Sequence, residues 1–213
     1  MGGARFPDSR DSIKLPPVFG REGRPDGSAW GTGMNNLIQN FIGFEGRLNR
    51  QPFWISAIIL AVVSVVISLV ILPIVGLSVM PNMPSIGADT SPEDIAAAIS
   101  AAQSRAGWIS LVLFLIFAYP SAAISIKRRH DRNNSGLDVW IYLALAAVAQ
   151  LISALGIGMT TMEIAGTVVP VPGPIVTTAG VILGIYGLYL LVVLGFLKGT
   201  AGPNQYGPDP LQG

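Results

Sequence analysis

Residues 53–77 read FWISAIILAVVSVVISLVILPIVGL, a run with no charged side chain. A helix rising 1.5 Å per residue needs about 20 residues to cross roughly 30 Å of hydrocarbon, so this one stretch is long enough to span a bilayer. Three more runs follow it: Trp108 to Ile126, Leu137 to Ile157 and Ile175 to Leu197. Across all four the only charged side chain is Asp138, at the edge of the third. The expected fold class is therefore an all-α integral membrane protein, a four-transmembrane-helix bundle. The first run starts too far into the chain to be the apolar region of a signal peptide, and Phe6 occupies the position where a myristoylation pattern needs Ser or Thr.

Composition agrees with the runs. Of 213 residues, 51% are hydrophobic and 12% charged, whereas soluble domains carry about 25% charged residues. A net charge of +1 lacks the basic excess of a nucleic-acid binder. The chain has no cysteine and one histidine, which removes disulfides, zinc-thiolate sites, iron–sulfur clusters and thiol nucleophiles. No cofactor, no metal site and no catalytic residue is assigned, and the chain is not expected to be an enzyme.

Orientation follows from the basic residues, because short loops rich in Lys and Arg stay in the cytoplasm. Near the span ends, Arg47, Arg50, Lys127, Arg128, Arg129, Arg132 and Lys198 all fall on one side, with Arg105 alone on the other. Both termini are expected to be cytoplasmic (N-in/C-in). Residues 1–33, rich in Gly, Pro and charge, are expected to form a disordered cytoplasmic arm, because they bury too little apolar area to offset their ordering entropy. Residues 34–52 form an interfacial segment carrying Met34, Leu37, Ile38, Phe41 and Leu48 near helical spacing. Residues 53–198 form the four-span membrane domain, and 199–213 a cytoplasmic tail.

Local signals refine the spans. Asn49 is placed to cap the first helix, with Pro52 in its first turn. Ser91-Pro92-Glu93-Asp94 reads as cap, proline and two carboxylates at the positive end of a helix dipole, which predicts a short external helix near 91–106 stopping at Gly107. Ser135 and Asp138 read as a capping pair for the third span. The loop from Gly158 to Pro174 is expected to be irregular or a short β-turn structure. Small residues predict close helix contacts at Ala57, Ala61, Ser64 and Ser68 and at Gly180, Gly184 and Gly187.

Three polar motifs fall on the side assigned to the cytoplasm. Phe44, Gly46, Arg47, Arg50, Phe53 and Trp54 form F-x-G-R-x-x-R-x-x-F-W. Lys127, Arg128, His130, Asp131, Ser135 and Gly136 form the middle motif. Gly199, Thr200, Gly202, Asn204, Tyr206, Gly207, Asp209 and Pro210 form G-T-x-G-x-N-x-Y-G-x-D-P. In these motifs the chain resembles the domain-of-unknown-function 805 family of small bacterial inner-membrane proteins, from about Phe41 to Pro210. Arg129 and Leu137 depart from the apolar and aromatic residues usual in that family. The resemblance implies a membrane location and four spans, and no activity.

The candidate cluster is Arg47, Arg50, Arg128, His130, Asp131, Asn204, Tyr206 and Asp209. One reading is an anion site in which Arg47, Arg50, Arg128 and His130 bind a lipid phosphate. The preferred reading is an internal clamp in which Asp131 and Asp209 pair with the arginines. His130 beside Asp131 is not read as half of a hydrolase triad, since sequence neighbours on a helix do not face each other. The spans carry no ionisable residue beyond that edge Asp138, so a proton-driven pump fits poorly. A small-solute transporter or channel, lined by Gln150, Tyr186 and Tyr189, is the alternative. The favoured function is a non-catalytic accessory or scaffold subunit. Its expected partners are the lipid bilayer, an anionic lipid, and a membrane protein complex or homo-oligomer, with no nucleic acid.

Overall fold

In the computed structural model, residues 37–78, 91–164 and 167–211 are described; the arm over 1–33 and Met34 lie outside them. Four helices are long and apolar enough to cross a membrane: Arg50–Ile74, Pro92–His130, Leu137–Ala154 and Pro174–Phe196. In hydrocarbon each backbone polar group must find its partner inside the segment, which a helix alone provides for a single run. Many apolar side chains along these helices are exposed, among them Ile58, Leu69, Ile116, Ile182 and Ile185, as a surface solvated by lipid requires.

The first span opens where Asn49 Oδ1 accepts from the Arg50 amide at 2.6 Å. It passes through a wide turn at Ile67–Ile71 and ends where Gly76 takes φ 75°, a conformation that favours glycine. Ala57, Ala61 and Ser64 line a cleft with Phe117, Ser121 and Ser125 of the second span, so this small-residue face looks toward that span.

The second span differs from expectation. Ser91 does cap it, its Oγ accepting from the Asp94 amide at 3.2 Å, but the helix does not stop at Gly107. It runs unbroken through Gly107 and Pro120 for 39 residues, Pro92–His130, about 58 Å and so about twice the hydrocarbon thickness. The reason lies in packing. A Cβ on Gly107 would sit 2.8 Å from Ala154 Cα, and Ser104 Oγ donates to Ala154 O at 3.1 Å. Glycine costs a helix about 1 kcal/mol relative to alanine, and here its missing side chain admits the neighbouring backbone.

The third span, Leu137–Ala154, is not capped by Ser135. Its N-cap is Gly136 at φ 76° with no side-chain cap, and Asn134 Oδ1 accepts from the Gly136 amide at 2.9 Å. Asp138 turns instead to Arg129, with Nη2 to Oδ2 at 2.7 Å; a charged partner on the preceding helix is a stronger attraction than a local amide. The following loop is more regular than expected. Met159–Ile164 (β1) pairs antiparallel with Thr167–Pro172 (β2), Met159 opposite Pro172 and Ile164 opposite Thr167, and Thr160, Thr161, Val168, Val169 and Val171 supply the branched residues that strands favour. The Gly173 amide closes the base on Gly158 O at 3.0 Å, and Gln103 Nε2 holds Pro170 O at 3.2 Å.

The fourth span is Pro174–Phe196. Of the three glycines expected to form its packing face only Gly187 meets a neighbour, the Tyr142 hydroxyl, 3.0 Å from where its Cβ would be; Gly180 and Gly184 have nothing within 4 Å among the described residues. At Gly180 and Gly184 the expected packing face of this span is therefore open among the described residues. The buried core, Leu48, Phe53, Ala122, Ile124, Ile126, Val139, Leu190 and Leu194, gathers at the end of the bundle where the first and third spans begin and the second and fourth finish.

Candidate functional site at the charged end of the bundle

Every helix leaves its last carbonyls without an amide partner. At the end of the fourth span the wide turn Val192–Phe196 leaves five in succession, and each one accepts from a side chain. Arg132 Nη1 donates to Val193 O at 3.2 Å, Arg128 Nε to Leu194 O at 2.8 Å, Trp54 Nε1 to Gly195 O at 3.1 Å and Arg50 Nη1 to Phe196 O at 3.4 Å. Arg128 Nη2 takes Leu197 O. Cations at the negative end of a helix dipole are favourable, and here they come from the first and second spans.

Arg128 is fully buried and Asp131, one turn later, is 3% exposed. Arg128 Nη1 pairs with Asp131 Oδ2. From the other side Arg47 reaches Asp131 Oδ1 with Nε at 3.2 Å and Nη2 at 3.0 Å. The tail then wraps the Arg47 guanidinium, which donates to Gly202 O at 2.7 Å and Thr200 O at 2.7 Å. Two buried guanidiniums thus share one carboxylate, and backbone carbonyls accept from their remaining N–H groups. Burying charge is costly unless it is paired and hydrogen-bonded, and this arrangement meets both conditions.

The tail is held by its own motif. Thr200 donates to Asp131 O through its amide at 2.8 Å and its hydroxyl at 3.0 Å. Gly199 lies so close that a Cβ there would fall on the Asp131 carboxylate. Asn204 Nδ2 donates to His130 O at 2.9 Å, and the Tyr206 ring stacks on the His130 imidazole, centroids 3.8 Å apart and planes within 3°. His130 Nδ1 lies 3.2 Å from Gly46 O, so the imidazole faces the segment before the first span and not Asp131. The Asp131 oxygens are taken by arginines, and no histidine–carboxylate dyad forms.

The cluster thus draws Arg47, Arg128, His130, Asp131, Asn204 and Tyr206 together. Arg50 stands at its exposed rim. Asp209 does not pair with an arginine as the clamp reading expected: Oδ2 accepts from the Gly202 amide at 2.8 Å and Oδ1 from the Leu211 amide at 3.0 Å. Those two amides, Leu211 first, hold its carboxyl below the ordinary carboxylate value. Asp209 is therefore a turn-forming residue, placed to shape the loop that surrounds Arg47.

Sequence reasoning missed Thr200, Gly199, Arg132 and Trp54 as members of the site, although three of them lie within its motifs. The signal was there for Thr200 and Gly199, adjacent residues opening the tail motif. Nothing in the sequence marks Arg132 as a cap for a helix 61 residues away.

The chain belongs to the family described as protein of unknown function DUF805, which matches residues 41–208, the stretch that contains this network. It is similar to the inner membrane protein YhaI of Escherichia coli strain K12, 24% identical over 175 residues that cover 82% of this chain and 92% of the relative. A shorter stretch of 92 residues is 32% identical to the uncharacterized protein YiiR of the same strain, covering 43% of this chain and 53% of that protein. No solved structure matches. With four apolar helices and an inner-membrane relative, the chain is a bacterial inner-membrane protein.

Proposed function

We propose that this DUF805 protein is a non-catalytic accessory or scaffold subunit, with both termini in the cytoplasm and its charged end facing a membrane partner or lipid there. The observation that carries the reading is the use made of the charge: Arg47 and Arg128 spend their donors on Asp131 and on backbone carbonyls of Leu48 before the first span, of Leu194 and Leu197 at the end of the fourth, and of Thr200 and Gly202 in the tail. Groups committed in this way have no free lone pair or proton to offer a substrate. What they provide is a rigid floor, to which the first and fourth spans and the tail are all tied.

The transport alternative gains little from the same region. The Tyr186 hydroxyl, one of its candidate lining groups, donates to Asp138 O at 2.8 Å, and its ring packs edge-on against Tyr142. Two experiments test the proposal. Alkaline phosphatase fused after Ala88 or Val169 should be active, and after Asn133 or Gln205 inactive; the reverse pattern overturns the orientation. Protein reconstituted into vesicles should leave glycerol and urea permeability unchanged while retaining a specific lipid or membrane protein through mild-detergent purification. Solute flux above that of empty vesicles establishes the transporter instead.

A further inference from the structure

The basic residues at the charged end fall into two groups. Arg47 and Arg128 are paired with Asp131, and Arg129 with Asp138. Lys127 Nζ donates to Gln39 O, and Arg132 caps Val193. Arg50 and Lys198 are different. Both are exposed; Arg50 has one long bond, to Phe196 O at 3.4 Å, and Lys198 has no hydrogen bond or ion pair among the described residues.

These two cations line one cleft of about 310 Å³ with Asn49, Gly199, Thr200, Ala201, Leu211 and two carboxylates, Asp131 and Asp209. Both carboxylates already have partners, Asp131 with its two arginines and Asp209 with two amides. Arg50 also borders a second groove, running from Asn49 and Gln51 to Trp54, Gly195 and Phe196. Phe196 is 61% exposed there, on the surface turned to lipid, and its ring meets Trp54 edge-on at 5.7 Å. Aromatic residues at this depth mark the membrane–water interface. The polar cleft and the aromatic groove share Asn49 and Arg50 in their walls, so a site with two exposed cations adjoins an aromatic groove at the end of the fourth span.

We propose that Arg50 and Lys198 bind the phosphate of an anionic phospholipid, with its glycerol and acyl chains lying along Trp54 and Phe196. The two cations give the charge complementarity, Arg50 through a guanidinium fork that suits phosphate geometry and Lys198 as a point charge. The adjoining pair of clefts selects a lipid over a soluble phosphate, since only a lipid fills both. Arg47 and Arg128 are not ligands. This rests on the scaffold reading only in placing the charged end at a lipid surface.

Native mass spectrometry of the full chain tests it, with phosphatidylglycerol, phosphatidylcholine and soluble glycerol phosphate as probes. Each basic residue near an anionic surface contributes about 1 kcal/mol, so Arg50→Gln and Lys198→Ala should each weaken phosphatidylglycerol retention roughly 5-fold, and the double variant about 30-fold. Melting in lipid-free detergent should be unchanged in Lys198→Ala and should fall in the two Arg50 variants by no more than the one long bond to Phe196 O that they give up, which separates loss of a ligand from loss of fold. Phosphatidylcholine should bind less tightly than phosphatidylglycerol, and glycerol phosphate weakest of all. Undiminished phosphatidylglycerol retention in the double variant overturns the site, and glycerol phosphate binding as tightly as the lipid overturns the lipid assignment. Selective retention together with solute flux in vesicles would uphold the site and remove the scaffold reading.

Discussion

The two ends of this bundle are held by opposite means. At the charged end the chain is joined by side chains reaching backbone: Arg47, Arg128 and Asp131 link segments 84 and 155 residues apart. At the other end the junction is backbone against backbone, Gly107 on Ala154 and Gly173 on Gly158, with Gln103 and Ser104 adding one neutral hydrogen bond each. The difference teaches where each end is vulnerable. The first depends on charge balance and fails when a carboxylate is lost, whereas the second depends on absent atoms and fails when a side chain is added.

The largest effect should come from Asp131→Ala, which leaves two buried guanidiniums without a counter-charge and should destabilise by about 3–5 kcal/mol, as broken buried ion pairs do. Denaturation in detergent measures it, and a loss below 1 kcal/mol would mean that the carbonyls alone neutralise the arginines. Next, adding volume should hurt at both ends. Gly107→Leu at the uncharged end and Gly199→Ala beside Asp131 should each cost about 1–3 kcal/mol through overpacking. A Gly107→Leu protein that melts with wild type would show that the uncharged end is not held by close approach.

Gly184→Leu sharpens the comparison from the opposite side. No neighbour among the described residues lies within 4 Å of its Cβ position, so the change should stay within about 0.5 kcal/mol, as substitutions away from packed features do. A larger loss in detergent, dependent on protein concentration, would identify that face as a contact between copies.

The smallest effect belongs to Asp209→Asn. Its folded carboxyl titrates below the ordinary value of 3.8, so the ionised form contributes stability above that value, and the contribution disappears as pH falls through the lower folded value. Wild type should melt slightly above Asp209→Asn at pH 7, and the gap should close in acid. A gap that widens in acid would assign Asp209 another role.

Length and hydropathy were enough to find the four spans, because the cost of a charge in hydrocarbon is set residue by residue along the chain. Asn49 and Ser91 were legible as caps for a similar reason: a cap acts within one turn of its own helix. The motifs identified most of the charged cluster, since Arg47, Arg128, His130, Asp131, Asn204 and Tyr206 carry their chemistry in their own side chains. Other features depended on neighbours distant in sequence. Only the packing of the second span against the third decided that the helix runs through Gly107, and that Asp138 turns to Arg129 and not to a local amide. It also decided that Asp131 serves both arginines while Asp209 folds its own loop. A buried charge is stabilised by whichever partner the assembled backbone brings within about 3 Å, and the sequence does not order such distances.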